Sequence, residues 1–350
     1  MAGKSSIVSM AEIAKQSGVS LSTVSLVLNQ KPGIPHETRR KVLHAAQSLG
    51  YQRKPKASVH KREQPPKVRK LGVFVKSQVD DPIPPTSNVF YSQVLAGIEE
   101  NCRFHNLLLM LSAVRVDSDS FPLETPRLLA NDAIDAVLLI GICINEMFGT
   151  ALEQTGLPTV LVDARNDKGN FDSVVIKNFD AGYKIANYLI EQGHRHIAFV
   201  GGYENSHPSF VDRRRGYLQA LHDKAIIEHY IGECSYNDPQ AVCETLRQTR
   251  QEAPKISAIM ACNDKVAIEL IQAANELGID VPGEISIVGF DNIIMADMIT
   301  PPLTTMNVDK VTLGRLGVEL LLYRFRFPEA AVIQASLSTT LIERMSVRRL

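Results

Sequence analysis

The 350-residue chain has no tryptophan, and all its aromatic residues together make up only 6% of it. Its five cysteines are odd in number and widely spaced, without a Cys-x-x-Cys pair; they are Cys102, Cys143, Cys234, Cys243 and Cys262. This pattern excludes a disulfide framework and is typical of reduced, mostly buried thiols in a cytoplasmic protein. No apolar run has membrane-spanning length, and none follows the first lysine as in a signal peptide. We therefore expect a cytoplasmic protein without membrane contact.

Sequence signatures of an enzyme are missing as well. A dinucleotide-dependent dehydrogenase needs Gly-x-Gly-x-x-Gly after its first strand, but Gly72 lies inside the first predicted strand and Lys76-Ser77-Gln78 follow it. His194 and His196 stand two apart, and a metal site needs more ligands nearby. We predict that the protein is not an enzyme and assign it neither a metal nor another cofactor. A dehydrogenase remains the alternative that measurable turnover would favour.

The chain as a whole has no net charge, because its 38 basic residues balance its 38 acidic ones. This balance hides two opposite parts, since residues 1–70 carry a net charge of +11 and the remaining 280 carry −11. A basic segment neutralises DNA phosphates and releases their counterions, whereas an acidic body resists sitting on DNA. The distribution therefore favours DNA binding by the amino-terminal segment.

That segment contains the pattern of a helix, a sharp turn and a second helix. Met10–Ser17 has the apolar spacing of a helix, and Gly18 supplies the positive φ that the turn needs. Ser20 is a suitable N-cap for the second helix, Leu21–Leu28, and a third helix is predicted over His36–Leu49. A small three-helix bundle without nucleic acid fits the pattern too. Together with the positive charge, however, the pattern favours DNA.

The second helix is predicted to have two distinct faces. Val24, Val27 and Leu28 share the face that packs on the first helix. The opposite face is free to meet base edges in the major groove and consists of Leu21, Ser22, Ser25, Leu26 and Asn29. The spacing therefore predicts a recognition helix.

Beyond residue 50 the composition changes twice. A basic, proline-interrupted stretch comes first, so we predict a DNA-binding domain over 1–54, a basic hinge or linker over 55–68 and a large core over 69–350. The predicted core strands are Leu71–Lys76, Leu107–Ser112, Ala136–Ile140, Thr159–Val162, Ile197–Val200, Ala258–Ala261 and Ile285–Gly289. The predicted core helices are Phe90–Phe104, Asp180–Gln192, Asp212–Lys224, Pro239–Gln251, Asp264–Leu277 and Lys310–Arg324. The predicted fold class is α/β: an all-α headpiece, then two doubly wound parallel-sheet subdomains that meet near residue 180 and form a cleft.

In open α/β sheets small ligands bind beyond the carboxyl ends of the strands. The polar and aromatic side chains predicted there are Asn88, Phe90, Tyr91, Asp163, Arg213, Asn263, Asp264, Phe290, Asp291 and Asn292. Carboxylates, amides, a guanidinium and ring faces suit a polyhydroxylated ligand. Plainer roles are open too, since Asp264 can cap the helix that it starts and Arg213 can pair with a surface acid. Phe90 and Phe290 can equally be core residues.

Several segments, taken in order, resemble the lactose-repressor family of transcription regulators, also called the LacI/GalR type, over nearly the full chain. They are SMAEIAKQSGVSLSTVSLVLNQ at 9–30, ETRRKVLHAAQSLGY at 37–51, GHRHIAFVGG at 193–202, RRRGYLQAL at 213–221, CNDKVAIELIQAANELGIDVPGEISIVGFDNI at 262–293 and PPLTTMNVD at 301–309. The resemblance implies a homodimer whose core is similar to periplasmic sugar-binding proteins and serves for effector binding and dimerisation. It also implies three crossovers near residues 179, 306 and 337, which assign 69–179 and 307–337 to one subdomain and 180–306 and 338–350 to the other. A periplasmic sugar-binding protein itself is the weaker alternative, because it needs a secretion signal and no basic headpiece.

Site residues follow from the resemblance position by position. Base reading falls to Leu21, Ser22 and Leu26, and the other DNA contacts are Ser9, Ser20, Thr23, Ser25, Asn29, Thr38, Arg53, Ala57 and His60. Leu26 stands where many members have a long polar side chain. We therefore expect the base preference to depend more on contacts with thymine methyl groups and less on hydrogen bonds to guanine. The effector contacts carried over are Phe90, Tyr91, Asp163, Arg213, Asn263 and Asp291.

Two segments depart from the family pattern. His60 stands where the family has a leucine that wedges into the minor groove. Because an imidazole is a poorer apolar wedge, we do not extend to this chain the kink that the family leucine produces in DNA. Val79–Ser87 is longer than the corresponding family loop and lies at the predicted cleft rim. No leucine heptad follows the core, so a dimer without a tetramerisation tail is expected.

These features predict a repressor bound as a homodimer to a pseudo-palindromic operator in double-stranded DNA. A small, sugar-like effector in the cleft is expected to control its affinity for that operator. Whether the effector releases the DNA or promotes binding is left open by the sequence.

Overall fold

The structure, a computed structural model, describes residues 9–28, 34–51, 69–78, 85–117, 119–129, 133–164, 168–204 and 206–350. The predictions for Asn29, Arg53, Ala57 and His60 lie outside these residues, as do those for the 55–68 linker and for most of the Val79–Ser87 loop. The chain divides into two compact units, Met1–Lys67 and Val68–Leu350. None of the helices in the described ranges is long and apolar enough to cross a membrane.

The first unit contains three helices, α1 (Met10–Ser17), α2 (Leu21–Leu28) and α3 (His36–Ser48). A capping box starts α1: the Ser9 backbone N–H donates to Glu12 Oε2 at 2.6 Å, and the Glu12 N–H donates to Ser9 Oγ at 3.4 Å. The chain leaves α1 through a left-handed residue, Gly18, with φ of 67°. The apolar faces of the helices then meet in a small core of Ile13, Val24, Val27, Val42, Ala45 and Ala46. The predicted helix-turn-helix headpiece is confirmed.

The second unit contains two six-stranded sheets, with strands numbered along the chain. The first sheet has the order β11-β5-β4-β3-β1-β2 and consists of β1 (Lys70–Gln78), β2 (Leu108–Val116), β3 (Ala136–Ile140), β4 (Thr159–Val162), β5 (Asp172–Ile176) and β11 (Gln334–Leu337). The second has the order β12-β10-β9-β8-β6-β7 and consists of β6 (Ile197–Val200), β7 (His229–Gly232), β8 (Ala258–Ala261), β9 (Ser286–Asp291), β10 (Thr304–Asn307) and β12 (Thr340–Ile342). All pairings are parallel except the edge pair β10–β12.

Helices cover both sheets, as the predicted βαβ alternation requires. They are α4 (Val89–Phe104), α5 (Glu146–Thr155), α6 (Asn178–Glu191), α7 (Pro208–Asp223), α8 (Pro239–Glu252), α9 (Asp264–Glu276), α10 (Met295–Met298) and α11 (Lys310–Arg326). The chain passes between the sheets three times: between β5 and α6, between β10 and α11, and between β11 and β12. The predicted fold class is confirmed, with one antiparallel edge strand added to the second sheet.

The same close helix crossing occurs in both subdomains. Gly97 of α4 faces Gly314 of α11 in the first, and Gly182 of α6 faces Gly216 of α7 in the second. A Cβ on any of these four glycines would lie 2.1 to 2.2 Å from a backbone carbonyl oxygen of the facing helix. For Gly182 that oxygen belongs to Arg213, so the crossing also sets how far the Arg213 backbone stands from α6.

Gly216→Ala is expected to destabilise the core by about 3 kcal/mol, because the added methyl would force α6 and α7 apart. Gly149→Ala in α5 is the matched control, since its Cβ would meet nothing closer than an Ile144 methyl group at 3.2 Å. Urea denaturation of both variants measures the difference. Equal midpoints for the two variants would contradict this account of the crossing.

Candidate functional site

A cavity opens between the two sheets at their carboxyl ends. The six residues predicted to contact an effector all line it: Phe90, Tyr91, Asp163, Arg213, Asn263 and Asp291. The rule that ligands meet the carboxyl ends of strands therefore located a real cavity, although ligand contact by these residues stays a prediction. The lining also contains Lys76, Ser77, Gln78, Asn88, His207, Ser209, Phe210 and Tyr236.

Arg213 is the most extensively bonded side chain of the cavity, and its residue is only 3% exposed. Its Nε donates to Asn178 Oδ1 at 2.9 Å, and its Nη1 donates to the Cys262 carbonyl oxygen at 2.7 Å. Its Nη2 lies 3.5 Å from Asp291 Oδ1, and its guanidinium carbon lies 3.5 Å from the centroid of the Phe290 ring. The alternative that Arg213 pairs with a surface acid is therefore wrong. Phe290 is a core residue whose ring packs against the Arg213 guanidinium.

Asp291 and Asn263 stand side by side at the ends of β9 and β8. The Asn263 carbonyl Oδ1 accepts the Val266 N–H at 2.9 Å and caps α9, so its NH₂ group is the donor that it can offer a ligand. Burial raises the pKa of Asp291 to about 6 against the opposing effect of Arg213 and Lys310. An amide donor beside a carboxylate acceptor matches two neighbouring hydroxyl groups.

Asp264 does not cap the helix that it starts, because Asn263 does so. The Asp264 carboxylate is fully buried and accepts the Ile293 N–H at 2.8 Å and the Thr305 hydroxyl at 2.5 Å. Burial, with a contribution from nearby Asp291, raises its pKa to about 8. Asp264 therefore holds the loop after β9 in place from beneath the cavity floor.

The opposite wall of the cavity is built around Asp163, at the end of β4. Its Oδ1 accepts the Ser209 hydroxyl at 3.3 Å across the cleft, and its Oδ2 accepts the Tyr91 hydroxyl at 3.4 Å. Lys76 lies close by, where its Nζ donates to Ser120 Oγ at 3.4 Å and sits 5.6 Å from the centroid of the Tyr91 ring.

The charges on this wall stabilise one another. Burial raises the pKa of Asp163, opposed chiefly by Arg213 and Lys76. Burial alone would lower the pKa of Lys76, but Tyr236, Tyr91 and Asp163 hold it above its usual range. The lining thus carries two cations, Lys76 and Arg213, against two carboxylates, Asp163 and Asp291.

A polar chain joins the two subdomains at the cavity rim. Asn237 Nδ2 donates to Gln78 Oε1 at 2.5 Å, and Lys265 Nζ donates to Asn237 Oδ1 at 3.0 Å. Gln78 belongs to the first subdomain and the other two residues to the second. Any change in the angle between the subdomains must lengthen or shorten this chain.

Sequence analysis missed some of the lining residues, for two reasons. Lys76 and Gln78 end β1 and obey the strand-end rule, but they were considered only as a phosphate loop and rejected as one. The start of α7 was predicted at Asp212, whereas the helix begins at Pro208. The missing turn contains Ser209 and Phe210, which both face the cavity.

The recognition face of α2 lies open to solvent. Leu21 is 53% exposed and Leu26 41% exposed, and Ser22 is exposed beside them. Ser20 Oγ accepts the Thr23 N–H at 3.2 Å and lies 2.7 Å from Ser22 Oγ and 2.8 Å from Thr23 Oγ1. Hydroxyl groups therefore cluster at the amino end of α2, with the leucines along its exposed side.

The remaining predicted DNA contacts in the described ranges are either half-buried or engaged in a helix cap. Ser25 and Thr38 are half-buried. Ser9 is exposed, but its hydroxyl donates to Glu12 Oε2 at 2.9 Å within the capping box. Any phosphate contact by Ser9 therefore competes with the cap of α1.

The histidines and cysteines have structural surroundings. His194 Nδ1 lies 2.9 Å from Ser257 Oγ, its Nε2 lies 3.2 Å from the Arg348 carbonyl oxygen, and burial lowers its pKa. Within the described part of the chain, no group of three or more His, Cys, Asp or Glu side chains could hold a metal ion. Four of the five cysteines are buried and Cys243 is half-buried, as predicted.

Two family models match the chain. Residues 9–54 match the bacterial regulatory proteins of the lacI family, and residues 186–347 match the periplasmic binding protein-like domain. The ribose operon repressor of Haemophilus influenzae is 29% identical over 343 residues, which cover 97% of this chain and 98% of that protein. Catabolite control protein A of Priestia megaterium is 28% identical over 316 residues, covering 90% of this chain and 91% of that protein.

Solved structures give the same result for the fold. A LacI family transcriptional regulator from Enterococcus faecium with bound ribose is 25% identical, with a TM-score of 0.68, covering 81% of this chain and all of that one. The lac repressor dimer bound to operator and an anti-inducer is 22% identical, with a TM-score of 0.67, covering 98% of this chain and all of that one. With the two family-model matches in this order along the chain, the protein combines a helix-turn-helix domain of the bacterial lacI regulatory type with a periplasmic binding protein-like domain.

Proposed function

We propose that this protein is a DNA-binding transcriptional repressor whose operator affinity is controlled by a small, uncharged, sugar-like effector in the core cleft. The observation that carries the proposal is the convergence of the six predicted effector residues on one cavity, in a chain whose first unit is a helix-turn-helix headpiece. Two further proposals follow: the repressor is not an enzyme, and it works in the cytoplasm, where bacterial DNA is found.

DNA binding is supported by charge and by the geometry of the headpiece. The net charge of +11 on residues 1–70 supplies the phosphate attraction, and the exposed side of α2 supplies a surface sized for the major groove. Two headpieces related by the two-fold axis of a homodimer would contact the two halves of a pseudo-palindromic operator. The relatives named as repressors support the same reading.

An uncharged effector is supported by the balance of charge in the cavity. Arg213 offsets Asp291, and Lys76 offsets Asp163, so the lining attracts neither an anion nor a cation strongly. The Asn263 amide beside the Asp291 carboxylate offers a donor and an acceptor to a vicinal diol. Phe90 adds an aromatic face for the apolar side of a sugar ring.

Effector control is supported by contacts that cross the cleft. The Asp163–Ser209 hydrogen bond and the Gln78–Asn237 hydrogen bond each join one subdomain to the other. A ligand that binds one subdomain angle better than the other shifts the population of angles, and a coupling of about 1–3 kcal/mol changes DNA affinity about 5- to 150-fold.

A thermal-shift screen tests the proposal, with ribose, glucose and cellobiose each compared with their phosphorylated counterparts. We expect a neutral sugar to raise the melting temperature and the matching phosphate to leave it unchanged. A gel-shift assay with the stabilising sugar then measures the change in operator affinity. Stabilisation by phosphates alone would overturn the charge argument, and recovery of a chemically altered sugar would favour an enzyme.

A further inference from the structure

The described recognition helix has no side chain that makes a directional hydrogen-bonding choice between bases. Its sequence, LSTVSLVL over Leu21–Leu28, contains no arginine, lysine, aspartate, glutamate, asparagine or glutamine. These six residue types supply the base contacts that separate guanine, adenine and cytosine in the major groove. Serine and threonine hydroxyls both donate and accept, so they fit either partner.

The helix offers exposed apolar surface instead. Leu21 and Leu26 are 53% and 41% exposed, although the headpiece core is already complete without them. In B-DNA, the apolar feature of the major groove is the C5-methyl group of thymine. Burial of leucine against that methyl group removes apolar area from water on both sides, whereas an unmethylated pyrimidine offers no such surface.

We propose that α2 recognises pyrimidines by their C5-methyl group, so that 5-methylcytosine replaces thymine at the positions that Leu21 and Leu26 contact. The two bases carry the same methyl group at the same place and differ in the neighbouring polar atom, which accepts in thymine and donates in cytosine. The hydroxyl of Ser22, which is exposed and lies between the two leucines in sequence, both donates and accepts, so it tolerates that difference. The inference rests on the proposed function for DNA binding, and it makes operator occupancy sensitive to cytosine methylation.

The test uses the full-length protein and begins with selection of an operator from random unmethylated duplexes. Each thymine of the selected half-site is then replaced by deoxyuridine, which removes the methyl group alone. In a second series the thymines are replaced by cytosine or 5-methylcytosine, with guanine opposite. Fluorescence anisotropy measures the Kd of each duplex for wild type, Leu21→Ala, Leu26→Ala and Leu43→Ala. Leu43 is the matched control, since it is 49% exposed but lies on α3.

We expect deoxyuridine at one or two positions to weaken wild-type binding about four-fold in one half-site, and on the order of fifteen-fold in both. At those positions 5-methylcytosine should restore most of what cytosine loses. Leu26→Ala should erase the methyl dependence at one position, whereas Leu43→Ala should retain it.

The outcomes separate this inference from the proposed function. Failure to select any operator would overturn the proposed function itself. A selected operator whose affinity is the same with thymine and deoxyuridine throughout would overturn the methyl inference alone. Equal methyl dependence in wild type and in both Leu21→Ala and Leu26→Ala would assign the methyl contact to another part of the chain, and would overturn it too.

Discussion

The Asp291→Asn variant is expected to bind its operator like wild type and to bind effector about 100-fold more weakly. Asparagine keeps the shape of the side chain and an oxygen for Arg213, but it loses the charge and one acceptor oxygen that face the cavity. Hydrogen bonds to a charged acceptor contribute about 1.5–3 kcal/mol each, so a loss of about 3 kcal/mol follows from weakening two of them. Calorimetry with the stabilising sugar measures the affinity, and anisotropy measures operator binding with and without that sugar.

Asp223→Asn is the matched control, because Asp223 ends α7 outside the cavity and pairs with Gln219 and Tyr183. It should leave effector affinity and response unchanged. Lost operator binding with intact effector binding in Asp291→Asn would contradict the assignment, because it would place Asp291 in DNA binding rather than in the effector site.

The affinity for effector should also fall with acid. Because burial raises the pKa of Asp291 to about 6, the wild-type affinity should drop as the pH falls from 7 to 5, and Asp291→Asn should lose less of its affinity over the same range. Acid unfolding driven by protonation of Asp291 cannot produce that drop in effector affinity. A raised pKa means that the folded state holds the proton more tightly, so the contribution of Asp291 to stability is present in acid and is lost as the pH rises through about 6.

Removal of residues 1–68 is expected to abolish DNA binding while effector affinity stays the same. The deleted segment contains the headpiece and most of the excess positive charge, and the remaining core belongs to a separate compact unit. If the full-length protein makes about six to ten phosphate contacts, raising the salt concentration from about 50 to 200 mM should weaken its DNA binding roughly 10³- to 10⁵-fold. Anisotropy with a labelled operator measures both effects.

Effector binding provides the internal control for salt. An uncharged sugar in a cavity with balanced charges should bind with nearly the same Kd at 50 and 200 mM salt. Operator binding of equal strength by full-length protein and by residues 69–350 would refute the assignment of DNA binding to the headpiece.

The elements that sequence predicted best are those whose stabilising contacts are local or whose residues are uniformly apolar. Four strands were predicted with the bounds they have in the structure: Ala136–Ile140, Thr159–Val162, Ile197–Val200 and Ala258–Ala261. Each is buried along its whole length, so nearly every position is apolar and the run is unmistakable. The headpiece helices were predictable for a related reason, because their caps, turn and apolar spacing all lie within a few residues of one another.

The strands that were missed owe their place to neighbours rather than to their own pattern. β10 begins with Thr304 and Thr305, which read as a polar loop but are fully buried between β9 and β12. Ser346 accepts the Thr304 N–H at 2.9 Å, and Asp264 accepts the Thr305 hydroxyl, so the polar groups are satisfied by residues about 40 positions away. β11 and β12 are separated by two residues yet belong to different sheets.

The cavity shows the same division. Sequence by itself determined the headpiece, the α/β class and the residues at strand ends, because helical spacing, buried strands and the strand-end rule depend on the order of residues. Tertiary structure decided which of those residues meet. Arg213 pairs with Asp291, 78 positions away. The glycine crossing of α6 and α7 sets how far the Arg213 backbone stands from α6. Burial of that pair follows from packing between distant segments, which no local pattern encodes, and burial is what raises the pKa of Asp291.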